Sequence, residues 1–207
     1  MAEFKFPEEK NLVFIGEAGS GKTETAVNLA LRMAREGGRR VHFFDMDQTK
    51  PLFRARDCEA QLEREGVVFH FQAQYLDAPT VASGVIETLR DEGSAVIMDI
   101  GGGSHGSHMI GQFSHLLNSA NTLVLYIVNP FRPWSGSRED IEVTMRRVLG
   151  AARLGSFRLV ANPNLGPETR AEDVLAGLRR FQGLFPGEEA LFACALEELV
   201  SELAGQV

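Results

Sequence analysis

The chain has 207 residues, a formal charge of −7 and 44 % hydrophobic residues, which fits one α/β domain with a core of its own. Its two cysteines, Cys58 and Cys194, stand in no paired or Cys/His ligand spacing, no secretory segment opens the chain, and no apolar run approaches the roughly 18 residues of a membrane span. A reduced, cytoplasmic protein is expected, with no disulfide framework and no membrane span, and the acidic balance argues against direct contact with nucleic acid.

Residues 1–10 read as a short lead-in. Leu12-Val13-Phe14-Ile15 is an apolar strand, followed by Gly16-Glu17-Ala18-Gly19-Ser20-Gly21-Lys22-Thr23 and then an amphipathic helix that includes Glu24 and runs to Glu36. The eight-residue stretch matches G-x-x-x-x-G-K-[ST], and the strand before it and the helix after it are the two elements such a loop must connect. Glycines let successive N–H groups point into one concavity, where a phosphate is held. Lys22 is expected on the β- and γ-phosphates, the Thr23 hydroxyl on Mg²⁺, and the helix N-terminus adds its partial positive charge.

Arg40 to Phe44 reads as a second buried strand that delivers Asp45 and Asp47 at its carboxyl end, the side of a parallel sheet on which ligands sit. Gln48 to Asp57, with Lys50, Arg54 and Arg56, is expected as a polar loop entering a short helix. Val67–Phe71 reads as a short strand and Pro79–Arg90 as a helix. Ala95-Val96-Ile97-Met98 then ends in Asp99, the pattern of a strand whose carboxylate holds a Mg²⁺-bound water, and Gly102 has the spacing of a switch glycine whose N–H reaches a γ-phosphate. The histidines beyond it, His105, His108 and His115, are expected in a mobile polar loop, since H-x-x-H without a further ligand is a weak metal set.

Thr122–Val128 is a further strand, closed by Asn129-Pro130-Phe131-Arg132-Pro133-Trp134, and a helix from Arg138 to Leu149 comes next. Phe157 to Ala161 leads to Asn162-Pro163-Asn164; Thr169–Phe181 is helical, Ala190–Ala193 a short last strand and Leu196–Leu203 a last helix. Strands alternating with helices predict a three-layer α/β fold, a mostly parallel sheet covered on both faces, in one nucleotide-binding domain over residues 1–207.

With these residues in place, the chain resembles the MinD/ParA/CobQ-CobB-like (SIMIBI) branch of phosphate-loop NTPases over roughly residues 11–182. The resemblance rests on the loop at 16–23, Asp45-Met46-Asp47, Asp99-Ile-Gly-Gly and the strand leading to Asn162. More narrowly it is similar to bacterial and archaeal ATP-binding proteins with a PxFRxR segment, here Pro51-Leu52-Phe53-Arg54-Ala55-Arg56. The resemblance implies that Asp45 supports Mg²⁺, that Asp47 orients the attacking water, and that Asn162 reads the amide edge of the base. No [NT]-K-x-D guanine signature stands at 129–132 or 162–165, so ATP is expected.

One position departs from the branch. Division and partition ATPases carry an early lysine that reaches a dimer partner's nucleotide, whereas this chain has Glu17, which puts such a homodimer in question and leaves Arg54, Arg56 or Arg132 as substitute cations. The expected function is a Mg²⁺-dependent ATP-binding protein with slow hydrolysis, a switch for a protein partner. The alternatives are an ATP-dependent phosphotransferase or ligase on a small metabolite, with a pocket between Arg54, His105 and Arg132, a GTP-dependent metal-delivery protein, and a regulator with almost no turnover.

Overall fold

The computed structural model describes residues 7–47, 55–71 and 84–206, with the backbone alone at 104 and 105. The parallel sheet arises because short, β-rich apolar segments alternate with amphipathic ones long enough to cross over it. In chain order the strands are β1 (Asn11–Ile15), β2 (Arg40–Met46), β3 (Val68–Phe71), β4 (Ser94–Ile100), β5 (Thr122–Val128) and β6 (Arg158–Ala161). They lie in the order β3-β2-β4-β1-β5-β6, all parallel. β1 therefore sits inside the sheet, between β4 and β5, and the loop that leaves it emerges at the crevice where the strand order turns outward.

Alternation along β1 splits the core into two layers. Leu12 and Phe14 face one side with Val27, Leu29 and Ala30 of helix α1 (Lys22–Glu36) and Leu62 of α2 (Glu59–Arg64). Val13 and Ile15 face the other, with α3 (Val85–Arg90), α4 (Gly103–Ile110), α5 (Ser114–Leu117), α6 (Arg138–Ala152) and α7 (Ala171–Leu184). All five residues of β1 and all seven of β4 are buried, as strands covered on both faces must be. A last helix, α8 (Val200–Leu203), packs Leu203 against Ala171 and Val174 of α7.

Local signals set the helix ends. Gly37 closes α1 with a positive φ, its N–H donating to Met33 O, and Ser137 caps α6 by accepting the Asp140 N–H at 3.1 Å. The structure departs from the sequence expectation at four places. The His105–His108 stretch belongs to α4 and His115 to α5, not to a loop, because Met109, Ile110 and Leu117 bury against the sheet face and draw these segments into helix. Of the helix expected over Pro79–Arg90, Val85–Arg90 is helical but Gly84, with φ +85, stands outside it as the residue before the first turn, and residues 79–83 lie outside the described residues. Ala190–Ala193 makes a single parallel bridge, Ala161 to Ala193, with Leu191 N–H on Leu159 O and Cys194 N–H on Ala161 O, a short edge with a partner on one side. The last helix is a 3-10 turn, Glu197–Leu199, running into the four residues of α8. Among the described residues no helix is long and apolar enough to cross a membrane.

Candidate functional site

The loop from Gly16 to Thr23 bridges β1 and α1, and its backbone is shaped by the groups packed against it. Gly21, the residue before α1, has φ +93, and a Cβ there would collide with the Asn162 side chain, so the position requires glycine on both counts. Asn162, at the end of β6, is buried and donates Nδ2–H to Ser20 O at 2.7 Å, while its own N–H is held by Val128 O at 2.8 Å. On the opposite side Gly102 presses on the loop: a Cβ there would lie 2.7 Å from the Ala18 Cα. Behind the loop, the Ser20 hydroxyl is buried with no partner among the described residues, at the wall of a cavity of about 10 Å³, the size one water fills.

Lys22 is buried and donates to Glu17 O at 2.9 Å. Burial lowers its pKa, and the carboxylates of Asp99, Asp47 and Glu17 oppose that shift. Asp99, 1 % exposed near the end of β4, is the most constrained acid in the site. Neither of its oxygens has a hydrogen-bond partner among the described residues. Burial pushes its pKa up to about 7, with Lys22 and, less, the Thr23 hydroxyl drawing it back; that hydroxyl biases the carboxyl without reaching hydrogen-bonding geometry. A buried carboxylate with two unbonded oxygens is costly unless a cation or donor meets it, and Thr23 beside it supplies the second hard oxygen. The donor set fits Mg²⁺, which takes one or two protein oxygens and keeps its waters.

Asp45 pairs in register with Asp99 across β2 and β4. Its Oδ1 accepts the Asp47 N–H at 3.0 Å and its Oδ2 accepts Arg56 Nε–H at 3.1 Å. Burial raises the Asp45 pKa and Arg56 counters it. Arg56 also donates to Asp47 O at 2.8 Å and lies 4.4 Å over the Phe71 ring. Asp47 is buried too, its Oδ1 2.8 Å from where a Cβ on Gly101 would stand. The structure thus gathers Lys22, Thr23, Asp47, Asp99 and Gly102 at one mouth, with Asp45 beside them but already engaged by Arg56.

Among the substitute cations, Arg132 donates Nε–H to Gly19 O at 2.9 Å, and Trp134 lies next to it at the same glycine. Arg54 and the His105 side chain fall outside the described residues, so of the metabolite pocket only Arg132 is placed. Asn129 is spent on structure, donating to Asn164 O at 2.7 Å and accepting the Phe131 N–H at 3.0 Å. Cys194 is partly buried, 3.6 Å from the Thr25 hydroxyl, and burial raises its pKa to about 11, so its thiol stays protonated and inert. Among the described residues no group of three or more His, Cys, Asp or Glu is placed to hold a metal. Sequence reasoning had no means of finding the partner of Glu17: Arg147 of α6 reaches its Oε2 at 3.2 Å across 130 residues.

The sequence matches the CbiA family, the CobQ/CobB/MinD/ParA nucleotide binding domain, over residues 12–160. The chain belongs to this family. Solved structures agree on the fold: the signal recognition particle receptor FtsY from Elizabethkingia anophelis in complex with GDP superposes with a TM-score of 0.52 at 21 % identity, covering 78 % of this chain and 51 % of that one. FtsY from Thermotoga maritima gives 0.51 at 19 % identity, over 78 % and 55 %. HypB from Helicobacter pylori, in complex with nickel, gives 0.46 at 20 % identity, over 89 % and 78 %. This CbiA-family chain spans about half the length of the FtsY chains it matches. No functionally curated protein matches it by sequence.

Proposed function

We propose that this CbiA-family domain binds ATP with Mg²⁺, hydrolyses it slowly, and uses the nucleotide state as a switch for a protein partner. The observation that carries the reading is Asp99, a buried acid with two unbonded oxygens, facing Lys22 at the mouth of the phosphate loop. Lys22 and the amides of residues 16–23 hold the phosphates, with Glu24 at the first turn of α1 beside them. Thr23 and Asp99 hold the metal and Asp45 supports it. Bound Mg²⁺ supplies charge neutralisation on the phosphates. Asp47 places the attacking water and Gly102 offers its N–H to the terminal phosphate, while the buried Asn162, its amide donating to Ser20 O, holds the loop in shape. Catalysis on this reading is positional and electrostatic.

ATP is favoured over GTP by the residues that stand after β5 and β6. A guanine site needs a carboxylate to accept two N–H donors, whereas Asn129, Asn162 and Asn164 stand in these loops, with the Asn129 and Asn162 amides donating to Asn164 O and Ser20 O and the Asn164 side chain accepting the Gly166 N–H. The GDP in the FtsY structure makes GTP the competing nucleotide. Purified protein mixed with ATP or GTP, each with and without Mg²⁺, separates the two by melting temperature and phosphate release recorded together. A Mg²⁺-dependent shift with ATP and slow release supports the switch; a shift with GTP alone overturns the base assignment; and release that becomes fast only with an added metabolite replaces the switch by a transferase.

A further inference from the structure

Glu17 stands where its own loop would hold an anion. Its Oε1 accepts the N–H of Ala18 at 3.3 Å, one of the successive loop amides that shape the phosphate concavity. The same oxygen lies 3.8 Å from where a Cβ on Gly103 would stand, so it also faces the first residue of α4. Its other oxygen, Oε2, is held by Arg147 at 3.2 Å. Glu17 is the more enclosed partner, its side chain 20 % exposed against 57 % for Arg147. The carboxylate thus lies on the flank of the loop where Gly102 packs against Ala18, between the Ala18 amide and Arg147.

An incoming phosphate meets this carboxylate as a like charge and as a competitor for the Ala18 amide. Two like charges a few ångströms apart repel unless a cation stands between or one of them moves. Arg147 provides for the second: it already holds the oxygen that is not on the amide, and it offers the carboxylate a place to remain once phosphate has taken Ala18. Arg147 belongs to α6, which packs against α4, so the release occurs at the seam between the loop and the helix layer.

We infer that Glu17 is a built-in competitor for the terminal phosphate and that Arg147 is the positioning residue that releases it, so that the pair sets the affinity for triphosphate within one chain. This rests on the nucleotide-binding reading above and adds a residue from α6 to it. It also gives the acidic side chain at position 17 a function that needs no second copy of the chain.

The test is a double-mutant cycle on the full chain, with ATP and ADP as probes in the presence of Mg²⁺ and affinities followed by the emission of Trp134, the single tryptophan, which lies beside Gly19. Glu17→Gln is expected to tighten ATP binding by about fivefold and Arg147→Gln to weaken it by about fivefold, the scale of one partly exposed charge pair. Arg147→Lys should stay near wild type, and the Glu17→Gln, Arg147→Gln double variant should match Glu17→Gln alone. The changes should be larger for ATP than for ADP and shrink with added salt, while the melting temperature without nucleotide moves little. An Arg147→Gln effect of equal size with and without Glu17, or no gain from Glu17→Gln, overturns the inference and leaves the nucleotide reading standing. Failure of wild type and every variant to bind any nucleotide overturns that reading and this inference together.

Discussion

Asp99 is the residue on which stability and function pull in opposite directions. Its carboxyl keeps its proton to about pH 7 in the folded chain and to its ordinary 3.8 when unfolded, so the native state binds more protons between those values and stability falls as pH rises through them. The difference corresponds to at most about 4 kcal/mol. Asp99→Asn is expected to flatten the dependence of unfolding free energy on pH between about 4 and 7, read by denaturant titration, while abolishing the Mg²⁺-dependent part of nucleotide binding. An unchanged slope would mean that Asp99 is already matched by a group nearby. Lys22 and Asp47 separate binding from turnover in the same way: Lys22→Ala should lose nucleotide affinity, whereas Asp47→Ala should bind ATP and release phosphate poorly. Turnover at the wild-type rate by Asp47→Ala would remove the water-positioning role.

At the scale of elements, the site depends on how each strand end is tied to the next segment of chain. The end of β2 is clamped by Arg56 from the 3-10 turn at Ala55–Cys58, which meets the side chain of Asp45 and the carbonyl of Asp47 together. Removing the cation leaves a buried carboxylate with its charge uncompensated, and such losses are costly. Arg56→Ala is expected to cost about 1–3 kcal/mol, below the figure for a fully buried pair because Arg56 is a quarter exposed. Much of that loss should disappear when Asp45→Asn is added, as a double-mutant cycle in urea would show. The end of β4 is tied differently, by absence of side chains: Gly101 admits Asp47 and Gly102 admits Ala18, so the strand end and the loop touch through backbone. The helical start of α4 comes directly after, and α4 packs on α6.

At the scale of the molecule, the site lies at the carboxyl ends of the central strands of a sheet whose interior is buried in two layers, so ligand free energy adds to the stability of the whole domain. Nucleotide at about 100 times its dissociation constant should contribute about 2.7 kcal/mol, a rise of about 5–10 °C in melting temperature for a chain of this size. A scan with two separate transitions, one of them insensitive to nucleotide, would contradict the single-domain organisation that the sequence predicts.

The features that the sequence determined by itself are those that neighbouring residues decide. The strand, loop and helix at 11–36, the apolar runs ending in Asp45 and Asp99, and the alternation that makes the sheet parallel are all local patterns, written in the spacing of apolar residues and glycines. The histidine stretch of α4 misled because its own residues are polar and flexible in composition; helix there is imposed by burial of Met109 and Ile110 against a sheet face that no local pattern reveals. The tertiary structure alone decided the pairings across long separations: Arg56 with Asp45, Asn162 on the Ser20 carbonyl, and Arg147 on Glu17. These depend on the strand order, which places β1 between β4 and β5 and so brings to one loop residues as far apart as 130 and 142 positions. Chain connectivity carries no record of such contacts, because they arise from packing free energy summed over the whole core and not from the propensity of any one segment.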